Sequence, residues 1–269
     1  MILEGRFPDP PEAALFADTG DEPAAVYRHL EWLRQQAAAA GFPVHIVRAG
    51  NLREDLEAAM RDGINVRHPP FWTRTADGRI GALYRKCTEY YKLEPIERWC
   101  RTAMGYGPRE RVRHTATLWL GISLDEVQRM HDARHRWVRN RYPLIELRLT
   151  RDDLLTWYER RGYPTPPKSA CAICPYRNTR NWATLREQDP AAWQEAVEMD
   201  TALRRGFHTA EHPLTAEEVY LWSKARPLVE VPTLPALDAA AQARVKQLDL
   251  FQEEPDWFDG SCDSGFCGI

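Results

Sequence analysis

The sequence has no apolar stretch approaching the roughly 20 residues that a bilayer span requires, and its mean hydropathy is -0.56. No membrane partner is expected. It also lacks a basic start followed by an unbroken apolar segment, because the opening MILEGRFPDPPEAALF carries Glu4 and three prolines. A secretory leader is therefore not expected, and the chain reads as soluble and cytoplasmic. There is no internal repeat and no low-complexity tract, which argues against a solenoid or a disordered array. Net charge is only -3, a total that neither demands nor forbids an anionic partner. Six cysteines in 269 residues without a leader do not suggest a disulfide framework.

What is present is a globular balance of 43% hydrophobic, 28% charged and 10% aromatic residues, which excludes wholesale disorder, a collagen-like chain and a coiled-coil rod. The length suffices to bury roughly 70–75% of the unfolded surface. Ala13–Ala17 is a short apolar run stopping at Asp18-Thr19-Gly20, a buried strand ending in a loop. Pro23 opens a helix to about Ala40, with Val26, Leu30 and Leu33 on one face, and Gly41 ends it. Val44–Val47 is the next strand and Leu52–Met60 the next helix. This alternation predicts an α/β fold with a parallel sheet and crossover helices.

Asp77-Gly78 within residues 64–86 suggests a hairpin or an excursion. A helix over Glu94–Met104, a strand over Thr115–Leu120, a helix from about Leu124 and a short strand at Leu144–Leu147 follow. Thr150, Asp152 and Asp153 begin a helix through Arg161, closed by Gly162 and Pro164. Further helices are expected at Thr179–Glu187, at Pro190–Arg205 and from Thr215, where Glu218 fits a capping box. From Arg226 the chain gains prolines and acidic residues and reads as a loosely held tail or lid. The expected organisation is an α/β nucleotide-binding domain over 1–150, a mainly helical, cysteine-bearing region over 151–225, and an acidic tail over 226–269.

From Arg98 to Arg148 eleven arginines stand against five acidic residues. Solvated helix faces are one reading of this excess. The other is a surface for nucleotide phosphates, sulfate or a nucleic-acid backbone, because guanidinium forks match such oxyanions. His131 and His135 have metal-compatible spacing, but Arg134 and Arg136 beside them favour a basic exposed face. Cys100 and most of the ten tryptophans are expected in packing roles.

Cys171 and Cys174 form a C-x-x-C followed by Pro175 in KSACAICPYRN, common geometry for two ligands to one metal centre. Cys87 lies in KCTEYYKLEPI five residues before Lys92, a thiolate beside a cation that could receive phosphate or sulfate. No second pair stands at zinc-ribbon spacing. A 4Fe–4S cluster on Cys87, Cys171 and Cys174, with a fourth ligand from the tail or an iron left open, is therefore a candidate. Cys262 and Cys267 in the terminal GSCDSGFCGI are the tail's thiols. The carboxylate of Asp18, in the loop after the first visible strand, can accept hydrogen bonds from a ribose or an adenine amine, although a plain turn would use the same residues.

Together FADTGDEPAAVYRHLEWL, RKCTEYYKLEPI, LWLGISLDEVQRM, RYPLIELRLTRDDLLTWYERRGYPTPPKSACAICPYRNTRNW and the terminal cysteine pair resemble the phosphoadenosine phosphosulfate reductase-like branch of the adenine nucleotide alpha hydrolase (PP-loop) superfamily. The resemblance covers about Ala13 to Leu203 plus the tail. It implies a Rossmann-like sheet, an adenine nucleotide (ATP or phosphoadenosine phosphosulfate) as ligand, and chemistry on activated sulfur or adenylation. It places Asp18, Thr19 and Gly121 on the nucleotide side and Cys87, Cys171 and Cys174 as cluster ligands. Lys92, Glu126 and Arg129 become the acting charged groups, with Lys92 and Arg129 neutralising the anion.

The sequence departs from the family in having no S-G-G-x-D-S type loop to cradle phosphates. The first strand and that loop are expected to be missing, through a start assigned too far downstream or through a shortened member without nucleotide hydrolysis. The leading expectation is an enzyme that reduces or transfers sulfur using an iron–sulfur cluster, with a thiol or electron-donor protein as partner. Its acceptor would be a small molecule, DNA or tRNA. The alternatives are a noncatalytic nucleotide- or nucleic-acid-binding module with structural zinc, and an interaction protein of a mobile element or defence cluster.

Overall fold

The structure, a computed structural model, describes residues 1–64, 66–206 and 218–248. These form a mixed α/β protein. In chain order the strands are β1 (Ala14–Ala17), β2 (Val44–Val47), β3 (Trp72–Arg74), β4 (Ile80–Ala82), β5 (Ala116–Trp119), β6 (Val138–Arg141) and β7 (Glu218–Tyr220). The helices are α1 (Ala24–Ala39), α2 (Leu52–Asp62), α3 (Glu94–Ala103), α4 (Pro143–Glu146), α5 (Arg151–Glu159), α6 (Thr179–Gln188), α7 (Pro190–Gly206) and α8 (Leu234–Leu248). Two compact units interleave along the chain. The first takes residues 1–17, 28–47 and 93–167, and the second takes 18–27, 48–92 and the described chain from Lys168 onward. They do not follow the consecutive segments 1–150, 151–225 and 226–269.

In the first unit β1 and β2 pair in parallel, from Ala14 opposite Val44 to Ala17 opposite Val47. A parallel pair needs a crossover, and α1 supplies it. Gly41 stops the chain beyond α1 in the left-handed region at φ 69°, a conformation glycine adopts without steric cost. Leu30 and Ala37 of α1 are buried, whereas Leu33, expected on the same face, is 37% exposed.

A second parallel pair joins β5 to β6, with Thr117 opposite Arg139. The helix expected from Leu124 is a six-residue 3-10 segment, Leu124–Arg129, whose backbone leaves helical geometry at Glu126. Its polar groups are drawn elsewhere: Leu124 N–H donates to the Leu149 carbonyl at 2.8 Å, and Asp125 accepts the Arg151 N–H at 2.9 Å. Leu144–Leu147, expected as a strand, falls largely in α4. Pro143 supplies the fixed φ suited to a helix start, and Glu146 N–H and Leu147 N–H donate back to Tyr142 and Pro143. β6 has no signature of its own, because VRNR carries no apolar alternation. α5 opens as expected, with the Thr150 hydroxyl and the Asp153 carboxylate closing a capping box.

In the second unit Asn51 caps α2 by accepting the Arg53 and Glu54 N–H groups, and Gly63 ends it at φ 66°. β3 and β4 form the hairpin expected around Asp77-Gly78, and β7 adds to the other edge of β3, all antiparallel. The core gathers Phe71, Ile173, Trp182, Leu203, Leu221 and Leu228. Trp182 of α6 meets Trp193 of α7 edge-on at 6.4 Å.

The chain after Arg226 is not a loose tail as far as residue 248. Leu228 and Val231 are buried, the Leu228 N–H donates to Asp200 at 2.9 Å, Arg186 binds the Val231 carbonyl, and α8 follows. The helix start expected at Thr215 lies outside the described residues, and Glu218 belongs to β7. No described helix is long and apolar enough to cross a membrane.

Candidate functional site

Four segments of the second unit converge: residues 18–22, 48–55, 87–92 and 170–177. The loop after β1 comes first. Asp18 is buried, and its Oδ1 accepts the Gly20 N–H at 2.8 Å and the Tyr27 hydroxyl at 2.9 Å. Its Oδ2 accepts Arg48 Nε at 2.8 Å and also Arg48 Nη2. Both carboxylate oxygens are thus engaged within the protein, so Asp18 acts here as the hub of the loop. Gly20 sits at φ 75°, and a Cβ there would come within 2.8 Å of Asn51 Cγ. Only glycine lets the loop lie this close to the start of α2, where the Thr19 carbonyl accepts the Leu52 N–H at 2.8 Å.

Asp21 ties this loop to the cysteine segment. Its Oδ1 accepts Arg53 Nε at 2.9 Å and Nη2 at 2.6 Å, its Oδ2 accepts the Ile173 N–H at 3.1 Å, and its carbonyl accepts the Ala172 N–H. Burial pushes the Asp21 carboxyl up against the opposing pull of Arg53 and of the Ile173 N–H.

Within the C-x-x-C, Cys174 N–H donates to the Cys171 carbonyl at 3.0 Å. Arg177 lies buried behind it, donating to the Ala170 carbonyl at 2.7 Å and twice to the Cys171 carbonyl, with its guanidinium 5.6 Å from the Trp182 ring. Trp72 Nε1 donates to the Pro175 carbonyl at 3.0 Å. The turn is thus fixed on both sides. Cys171 Sγ lies 3.2 Å from Thr19 Oγ1 and 4.0 Å from Glu22 Oε1. Glu22 Oε2 is buried with no hydrogen-bond partner among the described residues.

Cys87 begins a helical turn that passes through a π-helical stretch, Glu89–Leu93, before α3. Such wide turns recur at functional sites. Tyr91 is buried and donates to Asp55 at 2.6 Å, which anchors the stretch. Lys92 is half-buried; burial alone would lower its pKa, but the surrounding Cys171, Glu22, Cys174 and Cys87 outweigh that and hold it above the usual lysine value. Burial pushes the Cys87 thiol up to about 11, with Cys174 adding to the rise and Lys92 opposing it. Burial also raises the Cys171 thiol well above its usual value. Three cysteines and one ammonium, distant in sequence, therefore share one electrostatic neighbourhood. Among the described residues no three His, Cys, Asp or Glu side chains are grouped to hold a single metal ion.

Gly121, Glu126 and Arg129 belong to the first unit. Glu126 is buried and accepts Arg129 Nη1 at 2.8 Å and the Ser123 hydroxyl at 3.4 Å. Gly121 has neither a positive φ nor a close neighbour that would require glycine. Cys262 and Cys267 lie outside the described residues. His131 is exposed, His135 binds Glu97 at 3.2 Å, and Cys100 is buried. Sequence reasoning passed over Asp21, Glu22, Arg53 and Arg177. The signal available was the run of acids directly after Asp18-Thr19-Gly20 and an arginine three residues past Cys174. Compared with protein-family models, with curated proteins and with solved structures, the chain matches none.

Proposed function

We propose that this chain is a phosphoadenosine phosphosulfate reductase-like protein. It binds an adenine nucleotide or nucleotide-activated sulfur on a Rossmann-like framework and uses an iron–sulfur cluster in reduction or sulfur transfer. The observation that supports this reading is the joining of the Asp18–Glu22 loop to the Cys171–Cys174 turn, with Cys87 and Lys92 brought to the same place.

The donor types suit such a group, although among the described residues they are not grouped for a single ion: buried Cys171, half-buried Cys87 and Cys174, one ammonium beside them, and a backbone turn fixed by Arg177 and Trp72. Cys87, Cys171 and Cys174 would hold the cluster, which would supply electrons or a docking point for sulfur. Lys92 offsets negative charge among the thiolates and the Thr19 hydroxyl orients Cys171. Asp21 and Arg53 keep the nucleotide-side loop against the cysteines.

The test is to measure iron, acid-labile sulfide and zinc on anaerobically purified protein, with Cys171→Ser alongside. About four iron and four sulfide per chain, lost in the variant, is the expected result. About one zinc without sulfide would replace this reading with a structural clip on a binding module.

A further inference from the structure

We infer that the first unit carries a docking surface for the phosphate backbone of a nucleic acid, formed by residues 105–115 and 131–139. The inference does not rest on the sulfur chemistry proposed above.

The two segments are held together by contacts that take up Glu97 and the aromatic faces, while Glu110 accepts the Gly107 N–H at 3.1 Å and Asp132 is exposed. Arg101 of α3 donates to the Gly107 and Glu110 carbonyls, each at 2.6 Å, and its guanidinium lies 5.9 Å from the Trp137 ring. His135 stacks on Trp137 at 5.7 Å, and Tyr106 bonds His114 at 2.6 Å. The Ala116 N–H donates to the Trp137 carbonyl at 2.9 Å, which runs the end of the first segment beside the second. Glu97 of α3 is taken by Arg134 at 2.8 Å and His135 at 3.2 Å.

What remains is open and cationic in net charge, with five exposed arginines against Glu110 and Asp132. Arg109, Arg111, Arg113, Arg136 and Arg139 are exposed, and none pairs with a carboxylate among the described residues. Arg111 and Arg113 flank half-buried Val112, and Arg139 stands in β6 opposite exposed Thr117. Five unspent guanidiniums on a braced surface complement a repeating phosphate charge, which arginine meets bidentately. Because His135 and Arg101 lie against the Trp137 ring, the surface offers little for base stacking, and it binds backbone with weak sequence preference.

The test is fluorescence anisotropy of the full chain with a short labelled DNA duplex, its single strand and labelled polyglutamate, over a range of NaCl concentrations. Log affinity for the duplex is expected to fall linearly with log salt. In Arg111→Gln/Arg113→Gln/Arg139→Gln the slope is expected to be shallower by about 2 to 3, since each phosphate left without its arginine removes roughly 0.9. The control Arg28→Gln/Arg160→Gln, altered at exposed arginines outside these segments, is expected to keep the wild-type slope, and unchanged thermal unfolding shows that both variants fold. Absence of salt-dependent duplex binding, or an unchanged slope in the triple variant, would overturn the inference. So would tighter binding to polyglutamate than to either nucleic acid, which identifies an acidic protein as the partner.

Discussion

Thr19 Oγ1 lies 3.2 Å from Cys171 Sγ across 152 positions of sequence. The pair joins the loop after β1 to the cysteine turn through two side chains, with a hydroxyl beside a sulfur atom. Groups of this kind around a metal-bound sulfur orient it, and their loss typically lowers metal affinity 10–100-fold. With the cluster proposed for Cys87, Cys171 and Cys174 in place, Thr19→Val, which keeps the shape and removes the hydroxyl, should lose iron faster than wild type under chelator challenge, while Thr19→Ser retains it. Equal iron retention in Thr19→Val and wild type would remove Thr19 from the role assigned to it.

Asp21 and Arg53 form an ion pair within the second unit, with the more exposed Glu195 also 3.2 Å from Arg53. Asp21 is buried, Arg53 is largely so, and the guanidinium meets one carboxylate oxygen with two N–H groups. Removing one partner of a buried pair costs about 3–5 kcal/mol, because the other charge is left without compensation. Arg53→Met should lower stability in urea unfolding by that order. Asp21→Asn/Arg53→Met together should lose less than the sum of the single changes, since neither charge is then stranded. Additive losses would mean that the pair is not coupled as the geometry indicates.

The parts of this fold that can be read from sequence are those decided within a few residues. Gly41 and Gly63 end helices by adopting positive φ, Thr150 and Asp153 close a capping box three apart, and Asp77-Gly78 turns a hairpin. β6 is not legible, because VRNR becomes a strand only by pairing with residues more than twenty positions earlier. The buried segment after Arg226 is equally hidden, since its prolines and acids suggest a tail while Asp200, far upstream, holds Leu228. The candidate site divides the same way. Asp18, Cys87 and Cys171 stand out by type and spacing, but sequence cannot show that both Asp18 oxygens are already occupied, or that Asp21 and not Asp18 binds the cysteine turn.

Asp200 fastens the chain on both sides of residues 221–228. Its two oxygens accept the buried N–H groups of Leu221 and Leu228, each at 2.9 Å, and Arg204 lies against it. Asp200→Ala leaves two buried donors without acceptors, at about 1–3 kcal/mol each. The expected outcome is faster hydrogen exchange at Leu221 and Leu228, with the amides of α5 in the first unit unchanged. Protection equal to wild type at both leucines would show that the core packing of Leu221 and Leu228 holds this segment without the carboxylate.

The N-terminus of α5 should carry a measurable pH dependence. Burial alone would raise the Asp125 carboxyl, but the Arg151 N–H and its own backbone N–H outweigh that and hold it below the usual carboxylate range. The hydroxyl and N–H of Thr150 lower Asp153 in the same way. A carboxyl whose pKa is lower in the folded chain than in the unfolded one stabilises the fold above its unfolded value, and that contribution is lost as pH falls through the folded value. The contribution of both groups should therefore be constant from neutral pH down to about 4 and decline below it. Asp125→Asn/Asp153→Asn should be less stable than wild type at neutral pH, and the difference should narrow as the medium is acidified. Urea unfolding followed across that range measures it, and a difference that stays constant through the acid limb would mean that these carboxylates do not cap α5 in their ionised form.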